Sequence, residues 1–247
     1  MKYFIIIELL IVFPVLAMKS NNPYKKDSIE TIITNEQGQG LALEVHFIKG
    51  KEHSHAIFAI WIEDLQGNYI QTLYVSKSAG TGYFKHGVMD SDKWLPGPVN
   101  RPAIAPYWAH KRNILSENGS YMPTLKNPVP DAYTGATPKG SFILKTKTDK
   151  KPPAKFNLFI EINQPFDFNE YWTTTKYLED EEYHTSGQPA SIYFVTIDTS
   201  NPEDIYYLHL IGHSSYNGSN GYLYSNTNTL TTAKEIVKEL TVKILSK

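Results

Sequence analysis

The chain contains no cysteine. That excludes disulfides, thiolate metal centres, a cysteine nucleophile and a lipid-modified N-terminal cysteine. It also has no surplus of one charge, since 24 Lys and Arg stand against 25 Asp and Glu over 247 residues. Nucleic acid is therefore not an expected partner, because its binding needs a basic face. There is no Gly-x-Ser-x-Gly elbow and no spaced Asp-x-Asp-x-Asp-Gly loop. Ala79-Gly80-Thr81-Gly82 lacks the strand–helix setting of a phosphate loop. No internal repeat and no linker divides the chain. The length suffices for one large domain or two small ones with a real core.

The first residues read as an address. In residues 1–17, MKYFIIIELLIVFPVLA, Lys2 precedes an apolar run from Tyr3 to Ala17. Val15-Leu16-Ala17 fits a small-x-small cleavage pattern, which places the cut after Ala17. A spanning helix needs about 20 apolar residues, so the run is short for one. The expectation is a signal peptide at 1–17 and an extracytoplasmic protein, periplasmic or secreted, with no integral membrane segment after cleavage. Residues 18–39 then read as a flexible N-terminal segment.

The rest alternates with a period of two. Leu41, Leu43, Val45 and Phe47 alternate with Ala42, Glu44, His46 and Ile48, which marks a half-buried strand. The unbroken run Ala56–Ile62 marks a strand buried on both faces. Asp64–Asn68 is turn chemistry, with Gly67 free to adopt positive φ. Further strands are predicted at 69–75, 141–148, 156–163, 191–198, 205–211 and 240–245. With no crossover helices between them, about eight strands predict an all-β, antiparallel Ig-like β-sandwich over residues 40–247. One short C-terminal helix is expected where Thr232 and Glu235 have capping-box spacing.

Two stretches exceed a minimal sandwich. Residues 78–139 hold eight of the fifteen prolines and show no strand period. Residues 164–189 are rich in aromatics and acids. Tyr83, Phe84, Trp94, Tyr107, Trp108 and Tyr121 are costly to leave in water, so 78–139 is expected to be an ordered insertion folded over one end. A third irregular stretch runs from Gly212 to Asn228.

Phe58-Ala59-Ile60-Trp61-Ile62-Glu63-Asp64 followed by Gly67-Asn68-Tyr69-Ile70-Gln71-Thr72-Leu73 forms a strand–turn–strand signature. It resembles the Ig-like repeat of flagellar hook-capping proteins. More closely, the chain resembles a family of predicted periplasmic proteins of unknown function, over roughly residues 40–245. Asp131–Gly140 (DAYTGATPKG) and Phe159–Asn163 (FIEIN) carry further likeness. The resemblance implies an Ig-like fold and an envelope location, with a redox or metal context from the iron-uptake and flavin-related reductase genes that neighbour the family's own. It carries no catalytic residues, and the signal sequence does not suit a flagellar role.

Three kinds of site are candidates. If the strands ending at Lys49 and beginning at His53 form a hairpin, His46 lies opposite His55, with His53 on the same face. Directly opposed imidazoles suit a shared metal ion. His46, His53 and His55 are thus the candidate metal ligands, set against plain surface histidines. The acidic run 179–182 offers oxygen ligands or a solvated loop. The aromatic loops offer a ligand pocket. Trp94, Tyr107, Trp108, His110 and Arg112 lie within nineteen residues, with Trp172 and Tyr216 from the other two loops. Converging, they would form an aromatic wall with an anion-binding cation at Arg112 or Lys111. The alternative is a second small core that clamps the loops.

Catalytic groups are thin. His110, His184 and His213 are loop histidines. Ser214 and Ser215 follow His213, and Glu161 and Glu170 are a carboxylate pair of unknown separation. The sequence therefore reads as an exported, non-catalytic binding or accessory module for a small molecule, glycan or envelope protein. The alternatives are a metal-dependent or redox-linked enzyme or metal-handling protein using these histidines, and a structural assembly subunit.

Overall fold

A computed structural model describes residues 29–245. The signal-peptide segment 1–17 and the first part of the 18–39 segment lie outside the described residues. No described helix is long and apolar enough to cross a membrane.

Among the described residues strands outnumber helices. In order the chain forms β1 (Glu30–Ile33), β2 (Ala42–Lys49), β3 (Ile57–Glu63) and β4 (Tyr69–Ser76), then α1 (Lys77–Thr81). The insertion follows with β5 (Tyr83–Asp90), β6 (Lys93–Pro98), α2 (Pro106–Arg112) and β7 (Thr134–Gly135). After it come β8 (Phe142–Lys147), β9 (Lys155–Asn163), α3 (Glu181–Ser186) and β10 (Ser191–Asp198). β11 (Tyr206–Tyr207), β12 (His209–His213), α4 (Thr232–Glu235) and β13 (Val237–Ile244) end the chain.

Two sheets enclose one core. The first has the order β1-β8-β2-β13-β11, the second β12-β10-β9-β3-β4-β7, and β5-β6 is a separate ribbon. Leu43, Val45 and Phe47 of β2 meet Phe58, Ile60 and Ile62 of β3 in that core, with Leu158, Ile160 and Ile162 of β9. All seven residues of β3 are buried, as its unbroken apolar run requires. Its outer face carries a second core, in which Ala59, Trp61 and Phe159 pack under the insertion. The Asp64–Asn68 turn forms as expected. The Asp64 carboxylate accepts the amides of Gln66 and Asn68, each at 2.9 Å, and Gly67 sits at φ 82°.

The sheets are mixed rather than antiparallel throughout. β1 pairs with β8 and β4 with β7 in parallel. Both pairs join segments far apart in sequence, and a long connection lets a strand return in the same direction without a crossover helix. β1 also gives a strand to the stretch expected to be flexible. The expected 205–211 strand splits, with β11 in the first sheet and β12 in the second. The insertion contains the ribbon β5-β6, which its Pro96, Pro98 and paired glycines hide from a period-two reading. A Cβ on Gly87 would stand 2.0 Å from the Gly97 carbonyl.

The His46–His55 hairpin does not form. β2 pairs with β8 and β13, and β3 pairs with β4 and β9, so the two lie in opposite sheets. Their apolar faces do meet, but across the core rather than edge to edge. The capping box is also absent. Thr231 is the N-cap of α4, with no side-chain cap, and the Thr232 hydroxyl donates to Asp167 Oδ1 at 2.6 Å.

Candidate functional site: a basic, aromatic-walled cavity

The outer face of the second sheet places the insertion. Alternation along β9 puts Phe159 and Glu161 there, while Phe156, Leu158, Ile160 and Ile162 turn inward. Glu161 is fully buried, and its carboxylate accepts the amides of Tyr107 at 3.3 Å and Trp108 at 2.8 Å at the start of α2. On neighbouring β3, the buried Glu63 accepts Trp61 Nε1 at 2.7 Å and Lys111 Nζ at 2.9 Å. Two strand carboxylates thus hold the two ends of α2. Burial pushes the Glu161 carboxyl up to about 8, against the opposing pull of the two amides and Ser214.

The three long stretches meet on this side. The Asn217 side chain donates to Asp180 Oδ2 at 2.7 Å. A Cβ on Gly218 would strike the Pro102 carbonyl at 2.3 Å, so the third loop lies tightly on the insertion. Asp180 caps α3, its Oδ1 accepting the Tyr183 amide at 3.0 Å, which places part of the acidic run in a helix start.

The predicted aromatic residues separate into different places. Trp108 has no exposed surface, donates its indole N–H to Thr72 Oγ1 at 2.9 Å and lies under the Arg112 guanidinium at 4.7 Å. Tyr107 packs in the same second core against Trp61 and Phe159. Trp172 and Tyr216 belong to another cluster, where Tyr216 stacks on Tyr177 at 4.2 Å. His110 donates Nδ1–H to the Pro106 carbonyl at 2.8 Å and lines a cavity of about 280 Å³ with Tyr121 and Gly218. Trp94 is 48% exposed on β6.

Trp94 lines a cavity of about 810 Å³. Ile57, Phe84, Trp94, Pro138, Pro165 and Phe166 give it apolar walls. His55, Lys85, His86, Arg101 and Lys139 also line it, and no Asp or Glu does. Each wall comes from a different segment: the start of β3, the β5-β6 ribbon, the loop after β7 and the loop after β9. The DAYTGATPKG stretch contributes Thr137, Pro138 and Lys139. Phe166 sits at φ 62°, a strained conformation for an aromatic residue. It is held there by its amide to the Thr185 carbonyl and by the Asp167 amide to Ser186.

Arg101 anchors the cavity's ribbon wall. It is 6% exposed, lies 4.8 Å over the Phe84 ring and donates Nη2 to the His86 carbonyl at 2.6 Å. Its Nε is buried without a hydrogen-bond partner. Among the described residues, no carboxylate oxygen forms an ion pair with it. Glu182 acts on it from farther off, and that carboxyl is itself pushed up to about 7 by burial, then by Asp180 and Glu181.

The three hairpin histidines are apart in chemistry as well as register. His46 Nε2 bonds Glu44 at 2.6 Å on the first sheet. His53 packs between Phe47 and Phe58, with centroids 5.3 and 6.2 Å away and neither ring nitrogen partnered. His55 Nε2 donates to the Pro165 carbonyl at 2.9 Å. Among the described residues, no three His, Asp or Glu gather as a metal site. His213 Nδ1 faces the adjacent Ser214 carbonyl at 2.8 Å, and its ring stacks on Tyr224. Glu161 is buried while Glu170 is exposed, so the two carboxyls do not share a solvent-facing cleft.

Sequence reasoning reached Trp94 and the 131–140 stretch but missed Arg101, Phe84, His86 and Phe166 as neighbours. Arg101 carried one signal, being one of two arginines in the chain. Compared with family models, curated proteins and solved structures, the chain matches none.

Proposed function

We propose that this protein is an exported, non-catalytic binding module: an Ig-like sandwich, akin to the periplasmic family its sequence resembles, that holds a small molecule in the cavity beside Trp94. One observation carries the reading. A cavity of about 810 Å³ has apolar walls from four separate segments and a few polar groups, which is the usual size and chemistry of a small-molecule site. The strained backbone at Phe166 on its wall supports it, because such strain persists where the surrounding structure enforces it and clusters at ligand clamps.

Calorimetric titration with a neutral aromatic probe, 1-naphthol, and its charged counterpart, 1-naphthyl phosphate, tests the reading. The intact protein should bind at least one of them saturably, and Trp94→Ala should weaken that binding about tenfold through the lost ring contact. Heat that never saturates with either probe, or binding that Trp94→Ala leaves unchanged, would overturn it.

A further inference from the structure

Resting on that binding reading, we infer that the cavity's ligand is an aromatic oxyanion, whose ring lies among Trp94, Phe84 and Phe166 and whose phosphate or carboxylate is taken by Arg101. Three observations lead there. Arg101 is more than nine-tenths buried, yet its Nε has no partner. A buried guanidinium donates only, and an unfilled donor in a dry place carries the full penalty of desolvation until an acceptor arrives. The second is charge. Lys85, His86, Arg101 and Lys139 share the wall and no acid does, although the chain as a whole has one more acid than base. A one-signed lining of this kind raises the local concentration of anions and steers them inward. The third is the apolar side: Trp94 and Phe166 are 48% and 51% exposed, an uncommon loss for two rings on one cavity unless a ring covers them.

Arg101 also holds the ribbon through Phe84 and the His86 carbonyl, so an anion on its free edge would tighten the wall that carries Trp94. Binding and ribbon order are thereby coupled through one side chain.

The matched probes separate the charge from the ring. Intact protein should bind 1-naphthyl phosphate more than about tenfold tighter than 1-naphthol, the scale of a charge-assisted contact in a partly buried site. Arg101→Met should erase most of that ratio. Because Arg101 also braces the ribbon, the exposed pair Lys85→Gln and Lys139→Gln serves as a fold-neutral variant. It should lower the ratio by about threefold and flatten its dependence on salt. Equal binding of the two probes by the intact protein would overturn the inference while leaving the cavity reading intact. So would a ratio that neither Arg101→Met nor the lysine pair alters. Should Arg101→Met fail to fold, the lysine pair and the salt dependence decide alone. Absence of saturable binding by both probes removes the cavity reading, and the inference with it.

Discussion

The carboxylate of Glu161, fully buried toward the end of β9, accepts the amide of Trp108 at 2.8 Å. That contact fixes a seven-residue helix on an outer sheet face, and the insertion is built around it. The helix is too short to be stable by its own propensity. Its position therefore depends on the two glutamates beneath it and on the second core.

Glu161 makes stability fall as pH rises. Its carboxyl is raised from 4.5 to about 8, so between those values the folded protein holds a proton that the unfolded chain releases. The contribution is fully present below pH 4.5 and is lost by the time pH passes 8. The loss is roughly 1 kcal/mol per pH unit within that window. Glu161→Gln should keep the two amide contacts and flatten this slope. Urea denaturation at a series of pH values checks it; an unchanged slope would place the proton elsewhere.

Lys111 neutralises a carboxylate that has almost no exposure. Its removal by Lys111→Met leaves Glu63 with only the Trp61 indole donor. The expected loss is roughly 2–3 kcal/mol, below that of a fully buried pair because Lys111 keeps some contact with water. Adding Glu63→Gln should recover part of it. Equilibrium unfolding of the two single variants and the double variant measures the coupling.

Trp108 and Trp94 should behave oppositely. Trp108→Ala empties a fully buried site and should cost about 3–5 kcal/mol in an unfolding titration. Trp94→Ala, at a half-exposed ribbon position, should change stability by no more than about 0.5 kcal/mol. Comparable losses in both would mean that the ribbon is part of the core.

His53 should act on pH in the other direction from Glu161. Burial, then Lys49, lowers its pKa below the ordinary 6.5. The unfolded chain thus binds more protons just below pH 6.5, and stability rises with pH through that range. Since neither ring nitrogen has a partner, His53→Phe should stabilise the protein, most at acid pH. A difference between variant and parent that does not vary with pH would refute this assignment.

Seven of the eight expected strands are present and the 205–211 one is divided between the sheets, because a strand with one buried face must alternate and a strand with two must be continuously apolar. β2, β3 and β9 were legible for that reason. The strands that escaped notice are of other kinds: β1 is an edge strand with little burial, β7 has two residues, and β5 and β6 form a ribbon without a buried face of their own. Within the cavity, Trp94 and the 131–140 stretch drew attention through ring and turn chemistry. Phe166 lies 72 residues beyond Trp94, and nothing local to it, to Arg101 or to Phe84 signals a shared space.

The sequence by itself determined which side chains turn inward, since the two-residue period of an extended backbone is local. It also marked the rings of the insertion as packing material, and Phe84, Tyr107 and Trp108 are buried while Tyr83 and Trp94 are exposed. The choice of neighbour belonged to the tertiary structure. The apolar faces of β2 and β3 satisfy the same core whether the strands pair edge to edge or oppose each other across it. Only the competition of β8, β13, β4 and β9 for their edges decided the matter, and with it the separation of His46 from His55.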